Sequence, residues 1–242
     1  MALYRDQGIV LRTYKLGETD RILNLLTQGR GIVRAVAKGV RRPGSRFGGR
    51  LESYSHVDLQ LYEGRNLDVV NQAELIEPFA QVREDYTLSA AAATMAEAVD
   101  RVAQEGERNH RVFLLLRSGL QALAAQPPYP AIFLDAFLLR LASASGFHLF
   151  TDACSQCRAP GAHPFLHVSR GGMLCADCAP PGTKALDATT IDLVRLLASN
   201  EWAALPAAAE QVGARRTAAA FVRAYVEHHF DRQLKSYPHV PR

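Results

Sequence analysis

Apolar and polar residues alternate in short runs over the first eighty positions, a pattern typical of β-strands. The clearest run lies at 56–62, where Val57, Leu59 and Leu61 alternate with polar side chains, so one face would be buried and the other exposed. Five short strands with glycine-rich turns favour a small closed barrel of the oligonucleotide/oligosaccharide-binding (OB) type, and an SH3-like barrel is the nearest alternative. The predicted strands are Gly8–Tyr14, Arg21–Thr27, Gly31–Ala37, His56–Tyr62 and Asp68–Ile76.

Beyond Pro78 the apolar residues recur every three or four positions, which predicts helices. The segment 131–145 is apolar almost all round and is expected to be the central buried helix, since Asp135 and Arg140 within it argue against a membrane span. Asp187 is predicted to cap the helix that follows it. The predicted helices are Ala80–Gln104, Asn109–Ala125, Ala131–Ser145, Ala188–Ser199 and Arg215–Leu234.

The four cysteines of the chain form two pairs, each with two residues between the partners. This spacing lets both thiolates of a pair turn toward one ion, and two such knuckles complete a tetrahedral shell. The seventeen residues between the pairs contain several prolines and glycines, which favours a short hairpin. We therefore predict one structural zinc ion per chain, because four thiolates leave no open position for a catalytic water. The predicted ligands are Cys154, Cys157, Cys175 and Cys178.

Other uses of the cysteines are less well supported. Two disulfides would suit a secreted chain, but the first residues, MALYRDQG, carry charges and lack the apolar segment of a signal peptide. A thioredoxin-like redox pair would need a single CxxC between a strand and a helix. His163 and His167 lie between the pairs and could replace a cysteine ligand, although four thiolates already suffice.

These elements predict an α+β multidomain chain with an N-terminal five-stranded OB-fold β-barrel, a helical-bundle domain and an inserted four-cysteine zinc knuckle. The helices on either side of the insert are expected to pack into one bundle, and the tail 236–242 is expected to be frayed. The expected domains are the barrel at 1–79, the first part of the helical domain at 80–153, the insert at 154–182 and the second part of the helical domain at 183–242.

The distribution of charge along the chain indicates an anionic ligand. The net charge is only +4, but the stretch from Arg30 to Arg50 contains cations and no acidic residue. Its flexible loop, KGVRRPGSRFGGR, could follow a phosphate backbone, because each cation that meets a phosphate releases a condensed counterion. The alternative is a loop that is merely solvated. On an OB-type barrel the run predicts nucleic-acid contacts by Arg34, Lys38, Arg41, Arg42, Arg46 and Arg50.

Other side chains could contribute to such a surface. Aromatic residues near the cations could stack on bases, although each could equally pack in the core. If the loop is only solvated, the cations of the last helix are the next candidates. The aromatic candidates are Tyr14, Phe47, Tyr54 and Tyr62, and the helical cations are Arg215, Arg216 and Arg223.

Catalytic signatures are missing from the chain. It contains no phosphate-cradling GxxxxGK[ST] motif, no GxSxG elbow and no HExxH motif, and its carboxylates are scattered. The adjacent His228 and His229 would point in different directions from one helix, which is a poor arrangement for a shared metal ion. The sequence therefore gives no reason to expect an enzyme, and without a signal peptide the expected location is the cytoplasm.

The run GIVLRTYKLGETDRILNLLTQGRGIVRAVAKGVRRPGSR, especially at Gly17–Thr19, Thr27, Gly31 and Ala37–Pro43, closely resembles the N-terminal signature of the bacterial RecO family of DNA repair and recombination proteins. The run FLDAFLLRLASASGFHLFTDACSQC resembles the family's buried helix leading into its cysteine knuckle, and 213–221 resembles its final helix.

This resemblance implies a recombination mediator rather than an enzyme. Family members bind single- and double-stranded DNA, anneal complementary strands, and with RecR help load RecA onto DNA coated by single-strand DNA-binding protein (SSB). The resemblance implies DNA contacts at Lys38, Arg41, Arg42 and Arg46, zinc on the four cysteines, an SSB-tail site on the helical domain, and a place at the nucleoid. Two alternatives stay open: a zinc-stabilised RNA- or ribosome-binding module and a zinc-dependent hydrolase.

Overall fold

The first five strands close into a barrel in the order β1-β2-β3-β5-β4 in the computed structural model, which describes residues 2–208 and 210–242. Neighbouring strands are antiparallel except β3 and β5, which run parallel. The predicted OB-type barrel is confirmed. The strands are β1 (Leu3–Leu16), β2 (Asp20–Thr27), β3 (Gly31–Ala37), β4 (His56–Tyr62) and β5 (Asp68–Glu77).

The strand β1 begins five residues before its predicted start at Gly8. Its first residues are mostly polar, so their sequence carries no strand signal, but they pair with the second half of β4, from Leu3 opposite Tyr62 to Gln7 opposite Asp58. Backbone pairing to a neighbouring strand therefore extends β1 where side-chain pattern could not predict it.

The long connection between β3 and β4 closes one end of the barrel. Val40, Phe47 and Leu51 belong to the buried core of the barrel, and Gly48–Leu51 forms one turn of 3₁₀-helix. The predicted loop is therefore anchored at three apolar positions instead of being free along its length. Its exposed cations lie beside or between these anchors, so an ordered segment carries them.

Three helices follow the barrel, and the first predicted one is broken in two. Asp85 interrupts it because its carboxylate accepts a hydrogen bond from the backbone N–H of Leu88 (2.8 Å) and caps a new helix. Asn109 caps the third helix in the same way, through Val112 N–H at 3.1 Å. The helices are α1 (Ala80–Glu84), α2 (Tyr86–Val102) and α3 (His110–Ala124).

The helix α2 covers part of the outer face of the barrel. The amide of Asn24 on β2 donates to Asp100 at 2.5 Å, and the backbone N–H of Ile32 on β3 donates to the carbonyl of Gln104 just beyond the helix at 3.0 Å. The compact unit that contains the barrel accordingly runs to Ala125. The helices α2 and α3 therefore fall in the same compact unit as the barrel.

The second compact unit spans 126–242. The helix α4 is buried along nearly its whole length, as predicted, and packs against α5 and α7. Asp187 caps α5 by accepting a hydrogen bond from the Thr190 backbone N–H at 2.8 Å, which confirms that prediction. The elements are α4 (Pro130–Ala144), β6 (Phe165–His167), β7 (Gly172–Leu174), α5 (Ala188–Ala198), α6 (Leu205–Ala208) and α7 (Val212–His229).

The prediction of a frayed tail at 236–242 is wrong. Tyr237 and Val240 are each only 5% exposed, and the guanidinium of Arg242 meets the carboxylate of Asp135 at 2.7 and 2.9 Å. The Tyr237 hydroxyl lies 3.1 Å from the same carboxylate. Asp135 is a buried acid on an apolar helix, and these groups compensate its charge. Among the described residues, no helix has the length and hydropathy needed to cross a membrane.

Candidate nucleic-acid interface and metal centre

All six predicted DNA-contacting cations are exposed on the barrel. Arg34 points outward from β3, and the other five lie on the connection that closes the barrel. Within residues 2–208 and 210–242, none of the six forms an ion pair. Their charges are therefore available to an anionic ligand, and binding one would break no existing salt bridge.

The first part of the connection is fastened to the turn between β1 and β2. The Arg41 backbone N–H donates to the carbonyl of Thr19 at 2.9 Å, and its guanidinium donates to the carbonyl of Glu18 at 2.9 Å. The Gly39 N–H donates to the Asp20 carboxylate at 2.8 Å. These bonds hold the segment 38–42 beside the β1–β2 turn.

The carboxylate of Asp20, beside this segment, already accepts hydrogen bonds from the protein. The pKa of Asp20 is lowered, chiefly by the hydrogen bond from Gly39 N–H and then by the Thr19 hydroxyl, with smaller effects of the Arg42 and Lys38 charges. Asp20 thus remains ionised while its Oδ1 accepts both hydrogen bonds, and it orders the cationic segment instead of forming a salt bridge with it.

The later cations lie beside β5. Arg50 donates from its guanidinium to the carbonyl of Arg46 at 2.5 Å, and the Arg46 guanidinium lies 4.8 Å from the centre of the Phe47 ring. Both arginines border a shallow groove of about 380 Å³. The cations therefore fall into two groups, one at the β1–β2 turn and one along β5, with Arg34 on the face of β3. The other residues that line the groove are Asn71, Gln72, Ala73 and Glu74.

The four aromatic candidates divide evenly between core and surface. Phe47 is 1% and Tyr54 8% exposed, so neither can stack on a base. Tyr14, on β1, is 48% exposed, and Tyr62, at the end of β4, is 36% exposed. The exposure of Tyr62 agrees with the alternation of β4, whereas Phe47 is a single aromatic residue in a run of cations, which gives no periodicity from which its burial could be predicted.

A further arginine, which sequence reasoning missed, lies near Arg34. Arg65, in the turn between β4 and β5, is exposed and lines a groove of about 480 Å³ together with Arg30 and Arg34. Arg30 is less available, since it lies 3.7 Å from the centre of the Tyr4 ring and 3.6 Å from Glu63. An isolated cation in a turn carries no sequence signal, and only the folding of the chain brings Arg65 next to β3.

The four cysteines come together in the second unit. Their sulfur atoms all lie within 4.8 Å of one another, and those of Cys157 and Cys175 are 3.7 Å apart. A tetrahedral zinc ion with Zn–S bonds of about 2.3 Å separates its sulfurs by about 3.8 Å. The cluster therefore has the donor set and the size that a four-thiolate metal site requires.

The backbone around the cluster favours the thiolate form of Cys154. Burial raises the pKa of the Cys154 thiol, but hydrogen bonds from the backbone N–H groups of Cys157, Cys175 and Gln156 outweigh this and lower the pKa below its usual range. His163 donates from Nε2 to the Ala159 carbonyl at 2.9 Å, if that nitrogen carries the proton, and it lies outside the cluster.

The hairpin β6–β7 follows the first knuckle and leads into the second. Gly172 pairs with Phe150, and a β-carbon at Gly172 would lie 2.3 Å from the Phe150 carbonyl oxygen. The backbone N–H of Ser155 in the first knuckle donates to the carbonyl of Met173 at 2.8 Å. The close backbone approach at Gly172 and this bond join the knuckles to the hairpin, so a metal ion there would hold the whole insert together.

The chain matches two family models that together span nearly its whole length. The family model described as recombination protein O N terminal matches residues 1–79, and the one described as recombination protein O C terminal matches 83–238. Curated relatives named DNA repair protein RecO include those of a Nocardioides species, 47% identical over 99% of this chain and 100% of the relative, and of Frankia casuarinae, 43% identical over 100% of both. A Streptomyces griseus relative with the same name is 41% identical over 100% of both chains.

Proposed function

The chain belongs to the RecO family of DNA repair proteins, and from this premise we propose that it acts as a DNA-binding recombination mediator. In this proposal it binds single- and double-stranded DNA, anneals complementary strands, and helps RecR to load RecA onto single strands coated by SSB. It does so in the cytoplasm, at the nucleoid, and it forms or breaks no covalent bond.

One observation carries the proposal. Six exposed cations that lack ion-pair partners among the described residues lie on a barrel of the OB type, and the connection that bears five of them is anchored in the core. Annealing requires two polyanions to approach each other, and a cationic surface lowers their repulsion without reading sequence. Base pairing between the strands then supplies the specificity.

We propose a structural role for the metal. One zinc ion held by Cys154, Cys157, Cys175 and Cys178 would join the two knuckles at the base of the β6–β7 hairpin. Four thiolates fill a tetrahedral shell, so the ion would have no position for a reacting water. The zinc would stabilise the second unit and take no part in chemistry on DNA.

A strand-annealing assay tests the function. The protein is mixed with two complementary oligonucleotides, bare or coated with SSB, and duplex formation is followed by fluorescence. We expect faster duplex formation in both cases. On coated strands we expect it to require the acidic C-terminal tail of SSB, because that tail would bind the helical domain that follows the barrel. Annealing no faster than the uncatalysed rate on both substrates would refute the proposal.

A competition experiment separates DNA repair from an RNA-binding role. Single-stranded RNA of the same length and sequence is titrated against bound single-stranded DNA. The proposal predicts that the DNA is retained and annealed in the presence of equimolar RNA, whereas preferential displacement by RNA would favour the RNA-binding alternative.

A further inference from the structure

The strand register identifies which side chains lie on the outer face of β1, β2 and β3. Leu23 and Leu25 of β2 point into the barrel core, so Ile22 and Asn24 point outward. Their partners on both sides point outward as well. One outward row across the three strands is Tyr14, Ile22 and Val36, and the next row is Arg12, Asn24 and Arg34.

Only half of this face is open. Toward the other end of the strands, Leu26 is fully buried and Ile32 is 7% exposed, and Asn24 is bonded to Asp100 of α2. Toward the β1–β2 turn, Tyr14 is 48% and Leu16 39% exposed. Val36, at the β3 end of the Tyr14 row, is only 9% exposed, so the open part is an apolar patch centred on Tyr14, with α2 along one side.

Cations border the patch at both ends of its strands. Arg34 is exposed and Arg12 half-buried in the neighbouring row, two residues or about 7 Å along the strands from the row of Tyr14. The segment bearing Lys38 and Arg41 is fastened beside the β1–β2 turn. Two acids lie at this edge, Asp20 and Glu18. The Oδ1 of Asp20 accepts hydrogen bonds from the Gly39 backbone N–H and the Thr19 hydroxyl.

We propose that this patch, defined as Tyr14, Leu16 and Ile22 with Arg12 and Arg34 at its border, is a stacking platform for the bases of single-stranded DNA. The inference rests on the proposed function and deepens it. An exposed aromatic ring offers a face to any base, and the flanking cations take the phosphates of the same strand. A duplex keeps its bases stacked on each other, so it reaches the cations but not the platform. Tyr14 would thereby make the protein prefer single strands.

The test compares Tyr14→Ala with Tyr86→Ala, which removes an exposed tyrosine at the start of α2, outside the patch. Binding to a single strand and to a duplex of equal length is measured at matched salt. We expect Tyr14→Ala to weaken single-strand binding about five- to hundred-fold and to change duplex binding less than about twofold. Tyr14→Phe should retain single-strand affinity, and Tyr86→Ala should leave both affinities unchanged.

A second readout is independent of affinity. A single strand containing 2-aminopurine should lose fluorescence on binding to the parent and to Tyr14→Phe, because the base stacks on the ring, and should lose much less on Tyr14→Ala at saturation. The salt slope of binding should be the same for all three proteins, because stacking releases no counterion.

Several results would overturn the proposal. Equal single-strand affinity of Tyr14→Ala and parent would do so, as would an equal loss on single strands and duplex. A smaller sedimenting species for Tyr14→Ala with unchanged DNA binding would assign the patch to self-association. A parent protein that binds neither form of DNA would instead refute the proposed function itself, so the two failures are distinguishable.

Discussion

At the scale of single residues, His56 shows how a buried titratable group is held in the barrel unit. Its ring is 1% exposed, with Nδ1 3.1 Å from a carboxylate oxygen of Glu77 and Nε2 3.2 Å from the side chain of Gln7. Arg117 donates to the same Glu77 oxygen at 2.7 Å. Burial lowers the pKa of His56, and the bond to Glu77 offsets this only in part.

This pKa shift predicts a pH dependence of stability. A histidine whose folded pKa lies below its unfolded value of about 6.5 binds more protons when unfolded, so stability is lost as the pH falls below about 6.5. The pKa of Glu77 is lowered too, so its contribution is lost only at more acidic pH. Denaturation at pH 8, 7, 6 and 5 should show that the parent's free energy of unfolding falls as the pH is lowered. The fall should be smaller in His56→Gln. An identical decline in both proteins would contradict the assignment.

A second residue-scale prediction concerns Arg242 and Asp135. The Asp135 side chain is 2% and the Arg242 side chain 25% exposed, so Arg242→Ala leaves a buried carboxylate without its cation. We expect a loss of about 2–4 kcal/mol in the free energy of unfolding, and partial recovery in Asp135→Asn/Arg242→Ala, which removes both charges. Arg232→Ala, at an exposed cation, is the control. Denaturation midpoints that coincide for Arg242→Ala and Arg232→Ala would count against the buried pair.

At the scale of elements, side-chain periodicity was sufficient wherever the elements bury a continuous face. The strands β3 and β4 have their predicted bounds, and α4 was recognisable because it is apolar all round. Capping by Asp187 was also predictable, because the capping bond is local. In the strands and in α4 the apolar pattern repeats along the element, and in the Asp187 cap the bonding partner is only three residues away.

Segments that are held in place by residues distant in sequence could not be predicted. The tail 236–242 looks polar and proline-containing, and it is ordered by Asp135 about a hundred positions away. The connection between β3 and β4 is anchored by isolated apolar residues such as Phe47, which stand among cations. In both segments long-range contacts outweigh local composition, which is the usual limit of reading a pattern along a chain.

The zinc knuckle supports an element-scale prediction. Freshly purified, reduced protein should contain about one zinc per chain by elemental analysis, and Cys157→Ser should lower the zinc content and the melting temperature, because the metal joins both knuckles. DNA binding should persist, since the predicted DNA-contacting cations lie in the barrel's unit. Ser155→Ala, inside the same knuckle, is the control. Full zinc occupancy in Cys157→Ser would contradict the four-cysteine site, and loss of DNA binding in a folded Cys157→Ser protein would place the knuckle on the DNA surface.

At the scale of the whole molecule, the predicted DNA-contacting cations and the cysteines belong to different compact units. The unit ending at Ala125 carries the barrel and the six cations, and the unit from Gln126 carries the four cysteines. The sequence predicted both sets of residues, because charge runs and cysteine spacing are local signals. It did not predict that α2 and α3 belong to the barrel's unit, because an amphipathic helix does not specify which partner its apolar face will meet.

The cations of the barrel are expected to bind phosphates, and the proposed function depends on this. The variant that tests it replaces Arg34, Lys38 and Arg42 with alanine. Arg41 is left in place because its guanidinium holds the β1–β2 turn. The control replaces Arg170, Lys184 and Arg232, which are exposed cations of the second unit, and it changes the net charge by the same amount. The melting temperature of both variants should stay near the parent's, because exposed charges contribute little to folding.

The decisive measurement is the salt dependence of single-strand binding by parent, variant and control. If about four cations contact phosphates, the parent's log–log slope should be near −3, at about −0.7 per contact. The account predicts that the variant's slope is flatter by about two units and that its affinity falls for every sequence alike, while the control keeps the parent's slope. An unchanged slope in the variant would contradict the claim, and a flatter slope in the control would place the DNA-binding surface on the second unit.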